Sequence, residues 1–316
     1  AVAEKQRLLK RVIQPFVLRR MKTDPEVAAD LPDKVEQTHF CDLVDGQAEL
    51  YRQVQEAKLA DAIGSGGTAL ARQGRVLALI HAFREVCNHP ASLKAARQPP
   101  GFDVARFPRG SVEASGKTAR LHDLLEGIFS NGEKAVIFCN YLETIDILAE
   151  QIEDRFQERP LKLIGAMARE ERDCAVDSFQ TDPARRVLLL SLQAGGVGIT
   201  LTAATHVIHF DRCYNPAKEN QATDRAHRIG QDKTVFVHRL VARGTFEERL
   251  AAIMAQKQGL SDITLQSGEG WIADLGDAEL RDLFSLGGGT CDADLVAGAG
   301  LGASTCKRRK GAGKDE

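Results

Sequence analysis

The sequence carries no surplus of positive charge, no paired cysteines and no apolar run long enough to span a membrane, and each absence removes a class of protein. Its 42 Lys and Arg residues are balanced by 44 Asp and Glu, for a formal net charge of −2. The chain as a whole is therefore not a basic coat for nucleic acid, and any grip on phosphate must come from a local patch or from backbone N–H groups. The seven cysteines (Cys41, Cys87, Cys139, Cys174, Cys213, Cys291 and Cys306) form no CxxC pair. Their scatter and odd number argue against a disulfide framework and fit a reducing compartment. His81, Cys87 and His89 lie close in sequence, but their spacing matches no standard zinc pattern and no metal site is expected. With no membrane-length segment and no signal peptide, no membrane contact is expected and an intracellular location is: cytoplasm or nucleoid in a prokaryote, nucleus in a eukaryote. The chain opens at Ala1 rather than at a methionine, which points to a processed, truncated or excised piece.

Two catalytic signatures are also missing. The run Ser115 to Thr118 (SGKT) ends like a phosphate-binding loop, G-x-x-x-x-G-K-[ST], but Ser111 stands at the first glycine's position and no apolar strand leads into it. Ser115 reads instead as a helix cap, and Lys117 as solvent-exposed or weakly turned toward nucleic acid. No Asp-Glu-x-His-like carboxylate motif for Mg²⁺ follows a strand anywhere.

What is present is a globular composition, with 43% hydrophobic and 27% charged residues over 316 positions, enough for one large domain or two ordinary ones. Residues 1–32 begin helical and break at Pro15, Pro25 and Pro32. Lys34 to Leu43 is strand-like. Gln47 to Ile63 and Thr68 to Cys87 read as two helices around a glycine-rich break. Residues 89–114 hold Pro90, Pro99, Pro100 and Pro108 without any clear period and read as a long loop. From Ser115 onward apolar strands alternate with helices: strands at 135–139, 161–164, 187–191, 206–210 and 235–241, helices at 118–129, after 140, at 169–179 and near 217–229. Strands that are apolar throughout predict an α/β fold with a parallel sheet covered on both faces. Thr245 and Glu248 form a T-x-x-E capping box for a helix running to about Gln258, and a further helix is expected near 277–286.

The densest chemical signal is Gln221 to Gln231 (QATDRAHRIGQ). On a helix, Gln221, Arg225 and Arg228 stand at i, i+4 and i+7 and share one face, where paired guanidiniums call for an anion and a polyphosphate is the natural partner. The bland alternative is a solvated face with Asp224 as counter-charge. Gly195, Gly196 and Gly198 follow directly on the strand ending at Ser191, and such a loop at a strand's carboxyl end suits phosphate; alone it reads equally as a tight turn.

Together these segments are specific. The run Ser191 to Ala204 (SLQAGGVGITLTAA), then Val207 to Asp211 (VIHFD), Asn215-Pro216 and Gln221 to Gln231 resemble the fused fifth and sixth helicase motifs of the Swi/Snf-type ATPases. Lys134 to Asn140 (KAVIFCN) resembles the fourth. Pro15 to Arg20 (PFVLRR), Leu31 to Lys34 (LPDK), Val86 to Pro90 (VCNHP) and Gly244 to Glu248 (GTFEE) are similar to the connecting segments of that family, so the resemblance covers roughly residues 1–288 in order. It implies a C-terminal RecA-like lobe with an inserted helical subdomain: a connector between lobes at 1–33, the helical insertion and loop at 34–114, the lobe at 115–255, C-terminal helices at 256–288 and a disordered basic tail at 289–316.

The resemblance also implies a half-motor. ATP with Mg²⁺ is held mainly by an N-terminal lobe that this chain lacks, while Arg225 and Arg228 serve as arginine fingers and Gln221, Gly196 and Gly198 meet the nucleotide. Double-stranded DNA is gripped through its phosphates at positions matching Asn140, Tyr141, Ser191, Gln193, Ala194, Gly195 and Tyr214. The expected partners are thus the N-terminal lobe and duplex DNA, with the motor a monomer. The chain departs from the family where Tyr214 replaces the usual Trp, Gln193 a frequent Lys or Arg, and Thr200 a frequent Asn, which puts contact strength in doubt. A non-enzymatic nucleic-acid-binding module on the same fold, and an unrelated Rossmann-like enzyme such as a nucleotide-sugar transferase, remain as alternative readings.

Overall fold

The computed structural model describes residues 31–64, 68–192, 198–213, 215–258, 272 and 275–287. The strands are β1 (Lys34–Cys41), β2 (Ala135–Cys139), β3 (Leu161–Leu163), β4 (Val187–Ser191), β5 (His206–His209) and β6 (Val235–Ala242). They form one all-parallel sheet in the order β1-β6-β5-β2-β4-β3. The helices among the described residues are α1 (Asp45–Gly64), α2 (Ala69–Asn88), α3 (Gly116–Ser130), α4 (Leu142–Phe156), α5 (Arg169–Thr181), α6 (Pro216–Thr223), α7 (Phe246–Gln258) and α8 (Asp277–Phe284). None is long and apolar enough to cross a membrane.

The sheet is buried on both faces, as its unbroken apolar strands require. Side chains alternate across a strand. Ala135, Ile137 and Cys139 of β2, with Val187 and Leu189 of β4, pack on Leu121 and Leu125 of α3 and on Ile145, Leu148 and Ile152 of α4. Val136, Phe138, Leu188 and Leu190 point the other way, onto Phe179 of α5 and Ala222 of α6. A third core joins α1 and α2 to α7 and α8. There Phe83 stacks on Phe284 with centroids 5.0 Å apart and meets the tilted ring of Tyr51 at 4.3 Å. The Tyr51 hydroxyl donates to the Phe284 carbonyl (3.3 Å) and accepts from the Phe246 N–H (3.2 Å). Arg249 completes this join by donating to the Leu283 and Ser285 carbonyls at 3.2 and 2.7 Å.

Three expectations are revised. The strand within the 34–114 segment is no part of a separate insertion: β1 pairs with β6 along its whole length and forms an edge of the sheet. The long loop after α2 is wound through short 3₁₀ turns, pinned where the buried Glu85 carboxylate takes Nε and Nη2 of Arg97 at 3.0 and 2.5 Å. The capping box is displaced by one residue. Thr245 accepts the N–H of Glu247 (3.2 Å), while the Glu248 carboxylate takes the Gly244 N–H (2.7 Å). The expected N-terminal connector up to residue 30 and the basic tail lie outside the described residues.

Three histidines cross the sheet as a hydrogen-bonded chain. Arg120 Nη2 lies 3.1 Å from His39 Nδ1, His39 Nε2 3.0 Å from His238 Nδ1, His238 Nε2 3.0 Å from His206 Nδ1, and His206 Nε2 2.9 Å from Glu133 Oε2. Arginine can only donate and a carboxylate can only accept, so every ring takes a proton from its left and gives one to its right: all three are neutral Nε2–H tautomers. Burial holds His39, with Arg120 beside it, down to about 4 and His238, between two other imidazoles, down to about 3. His209, fully enclosed, and His122, also near Arg155, are lowered by burial to about 4.

These groups set a pH dependence. The pKa values of His39, His122, His209 and His238 are depressed in the folded chain, so between about 6.5 and 4 the unfolded chain takes up protons that the folded chain refuses. Stability is fully present above the unfolded value and is lost as pH falls. A fully buried imidazole such as His209 costs at most about 2 kcal/mol at pH 5. Urea denaturation is expected to show stability falling steadily from pH 7.5 to pH 5; a flat profile over that window would contradict burial of neutral imidazoles.

Candidate functional site

The carboxyl ends of three adjacent strands, β5, β2 and β4, carry Asp211, Asn140 and Ser191. Ligands of parallel α/β sheets bind at this edge. Asp211 is fully buried, and an ionised carboxylate there needs a full set of donors. It has them. The Asn140 backbone N–H lies 3.0 Å from each oxygen, and the Asn140 amide nitrogen also donates. Asn88 Nδ2 approaches at 3.2 Å and Cys139 Sγ at 3.3 Å.

The second face of Asn88 continues the network. Its Oδ1 accepts from Lys117 Nζ at 3.2 Å, and Lys117 Nζ also meets Glu247 Oε1 at 2.8 Å. The two side chains of that ion pair are 1% and 0% exposed. Glu247 Oε2 then accepts the Ala242 N–H at 2.9 Å. Burial works against the Lys117 ammonium, but the Glu247 carboxylate outweighs it and the lysine pKa is raised. The expectation that Lys117 is exposed is thus corrected: it is a structural cation, paired across the molecule. Ser115 does cap α3, accepting the Lys117 N–H at 3.2 Å while donating to the Asn88 carbonyl at 2.7 Å. A Cβ added at Gly116 would stand 1.9 Å from the Asp42 carbonyl oxygen, so α3 begins against backbone, where no phosphate has room.

The second group lies around residues 198–231. The expected helix to 229 stops at Thr223, beyond which the bonds shorten to turns: Arg225 N–H goes to the Ala222 carbonyl at 3.2 Å and Ala226 N–H to that of Thr223 at 3.1 Å. The Arg225 carbonyl accepts from Leu201 N–H at 2.8 Å instead of from a fourth residue onward, and residues 224–230 run in turns. Gln231 is buried and its Nε2 donates to the Thr202 and Ala204 carbonyls, both at 2.8 Å. His227 Nε2 reaches the Pro32 carbonyl at 2.9 Å. Gly230, at φ +98°, reverses the chain between these anchors, in a region open to glycine. Gln221, Arg225 and Arg228 therefore do not share a helix face. Tertiary contacts join two of them to the segment after Gly198: Leu201 N–H meets the Arg225 carbonyl, and Arg228 Nη1 lies 3.5 Å from Thr200 Oγ1.

Of the residues singled out from sequence, Gln221, Gly198 and Arg228 are exposed and Arg225 is half-buried. Among the described residues, its chain neighbours aside, no atom lies within 4 Å of the position a Gly198 Cβ would take. Ser191 is buried at the end of β4. Tyr141 begins α4, its hydroxyl 2.8 Å from His81 Nδ1 and its ring 5.7 Å from the Arg84 guanidinium carbon. Gln193, Ala194, Gly195, Gly196 and Tyr214 lie outside the described residues. Among the described residues no group of three or more His, Cys, Asp or Glu side chains could hold a metal ion. His81, Cys87 and His89 go separate ways: His89 Nδ1 accepts the Ala91 N–H at 3.1 Å, and Cys87 lies in the helical core.

Sequence reasoning assigned no role to Asn88, Asp211 or Glu247. All three sit inside segments it had marked: VCNHP, VIHFD and GTFEE. The signal was a polar residue within an otherwise apolar or turn-forming run, and its use became visible only with the partners in place.

Comparison with known proteins gives two family matches: the helicase conserved C-terminal domain over residues 116–230 and the SNF2-related domain over residues 2–92. The Bacillus subtilis protein YwqA, described as an ATP-dependent helicase/translocase, is 38% identical over 281 residues, covering 88% of this chain and 29% of that protein. The chain thus spans less than a third of that relative's length. The Sulfolobus solfataricus SWI2/SNF2 ATPase C-terminal domain superposes with a TM-score of 0.65 at 33% identity, over 80% of this chain and 99% of that one. The Sulfolobus solfataricus SWI2/SNF2 ATPase core in complex with double-stranded DNA superposes with a TM-score of 0.68 at 36% identity, over 89% of this chain and 56% of that one.

Removing one member of the buried pair strands the other. Lys117→Ala is expected to destabilise the fold by roughly 3–5 kcal/mol, because it leaves Glu247 charged and enclosed, whereas Lys117→Met combined with Glu247→Leu should recover most of that loss. Chemical denaturation of both variants checks it; equal destabilisation of single and double variants would mean that the pair is not what holds these helices.

Proposed function

Because the chain belongs to the SWI2/SNF2 ATPase family and matches its C-terminal domain from end to end, we propose that it is the arginine-supplying half of an ATP-driven motor on double-stranded DNA. The observation that supports the proposal is the stitching of residues 200–204 to residues 225–231, which ties the segment of Arg228 to the one that follows Gly198, with Gly198, Gln221 and Arg228 all exposed. Similarity to an ATPase core bound to duplex DNA supports the choice of partner.

The residues fit the terminal phosphates of a nucleotide and not a whole one. Exposed guanidinium, amide and cleared backbone are donors for an anion. The sequence holds no complete phosphate-binding loop and no Mg²⁺ carboxylate motif, so we assign those to the N-terminal lobe. When bound there, ATP with Mg²⁺ supplies the phosphoanhydride whose cleavage drives the motor. Arg228, exposed and 3.5 Å from Thr200 Oγ1, presents its guanidinium outward. Arg225, half-buried and fixed through its own carbonyl, holds the base of that turn. Both neutralise charge that develops on a transferring phosphoryl group, an effect on the order of 10³–10⁵ in rate for such arginines. We assign nucleotide contact to Gln221, Gly196 and Gly198 as well. Asn140, Tyr141, Ser191, Gln193, Ala194, Gly195 and Tyr214 form the DNA side, where contact through phosphates gives register without reading sequence. The motor works as a monomer, with residues 1–33 as the connector between lobes and the sheet, including β1, as the body of this one.

The isolated chain is expected to show negligible ATP turnover, and adding the matching N-terminal lobe and duplex DNA should restore it. In the restored motor Arg225→Ala or Arg228→Ala should lower turnover about 10³-fold with circular dichroism and melting temperature unchanged. Motor-like turnover by the isolated chain, or full turnover in both variants, would remove the assignment.

A further inference from the structure

We propose that Asp211 is a positioning residue that couples the turn bearing Asn140 and Tyr141 to the segment bearing Arg225 and Arg228, so that engagement of DNA at the first sets the second. The inference rests on the function proposed above.

Asp211 stands at a junction. Through its carboxylate it fixes the backbone N–H and the amide of Asn140, and with them the turn that starts α4. Through its own backbone it leads at once into Arg212 and Cys213. Arg212 Nε and the Cys213 N–H both donate to Glu219 Oε1 of α6 at 2.8 Å. Glu219 is buried; burial alone would raise its pKa, but chiefly the charge of Arg212 holds it down, so it stays an anion. The next stretch of chain is the segment of Arg225 and Arg228. Arg84 closes the loop from the other side, donating to the Arg212 carbonyl while its guanidinium lies against the Tyr141 ring. A shift of the Asn140 turn is therefore delivered to the start of α6 through Asp211, with Arg84 as a second link between Tyr141 and Arg212.

Stability alone does not explain a carboxylate here. A buried ionised group is replaced by a well-packed apolar side chain with little loss and often a gain. What an apolar side chain lacks is direction: only an acceptor with two oxygens can orient both donors of Asn140 and also take Asn88 Nδ2. Asn88 in turn is held by Lys117, so the junction is backed by the buried pair with Glu247.

The test uses the full-length protein, N-terminal lobe included. Asp211→Asn keeps the size but sets an NH₂ group against donors of Asn140 or Asn88. Expected are a roughly tenfold rise in the duplex DNA concentration giving half-maximal ATPase and a roughly tenfold fall in DNA-stimulated kcat. DNA-free turnover and the KM for ATP should stay within about twofold of the native values. Rates with and without DNA that fall by one common factor, or that do not fall, overturn the coupling. So does a loss of DNA affinity with stimulated kcat intact at saturating DNA. If Asp211→Asn does not fold, Asn88→Ala decides by the same criteria with a smaller expected effect, since it leaves the Asn140 bonds in place. Native protein without DNA-stimulated turnover would instead overturn the proposed function itself.

Discussion

The fold hangs on a chain of buried charge that begins at Glu247, passes through Lys117 and the amide of Asn88, and ends at Asp211. Its members come from α7, α3, α2 and the end of β5, segments far apart in sequence. Apolar packing brings such elements together but tolerates sliding between them. A buried ion pair does not: misaligned by an ångström, it leaves a charge unsatisfied in a medium that screens it poorly. The helical unit built on Phe83 and Phe284 is thereby locked at one angle to the sheet, and the carboxyl edge of the sheet is locked with it.

That constraint explains where order is concentrated. Behind the edge, Ser115, Gln47 and the Asn88 carbonyl form a closed set of hydrogen bonds with the start of α3. In front of it, Arg228 is exposed and meets Thr200 only at 3.5 Å. A side chain that must reach across to another body benefits from a rigid base and a loose tip: the base fixes the origin of its reach, and the tip leaves the last adjustment to the surface it meets. A site built as half of a pocket has this character, since its remaining hydrogen-bond capacity is reserved for groups on the other half.

The sheet was legible in the sequence because strands buried on both faces read as unbroken apolar runs, and β2 and β4 match the expected 135–139 and 187–191. Their alternation between two cores follows from strand geometry alone. What was not legible depends on partners distant in sequence. The helix bearing Gln221 stops at Thr223 and the turns after it are tied to a distant segment, with Leu201 N–H on the Arg225 carbonyl, which no local propensity announces. Lys117 reads as exposed because lysines usually are; the partner that buries it is 130 residues away. His39, His206 and His238 look like isolated polar interruptions until the register of β1, β6 and β5 sets them on one face within bonding distance.

These hidden features share a physical origin. Each is a polar group placed where an apolar one would pack as well, and each does something that packing cannot: it assigns a direction. The histidine chain runs one way, from the Arg120 donor to the Glu133 acceptor, and so fixes three tautomers across three strands. The Asp211 carboxylate faces donors only, and so fixes the turn after β2. Gln231 donates twice to the loop after β4, and so fixes the segment that carries Arg228. A net charge near neutrality is compatible with the proposed anion-seeking edge for the same reason: attraction to phosphate there would depend on a few donors held in fixed orientations, and the overall count of basic residues would contribute little at contact range through a screening solvent.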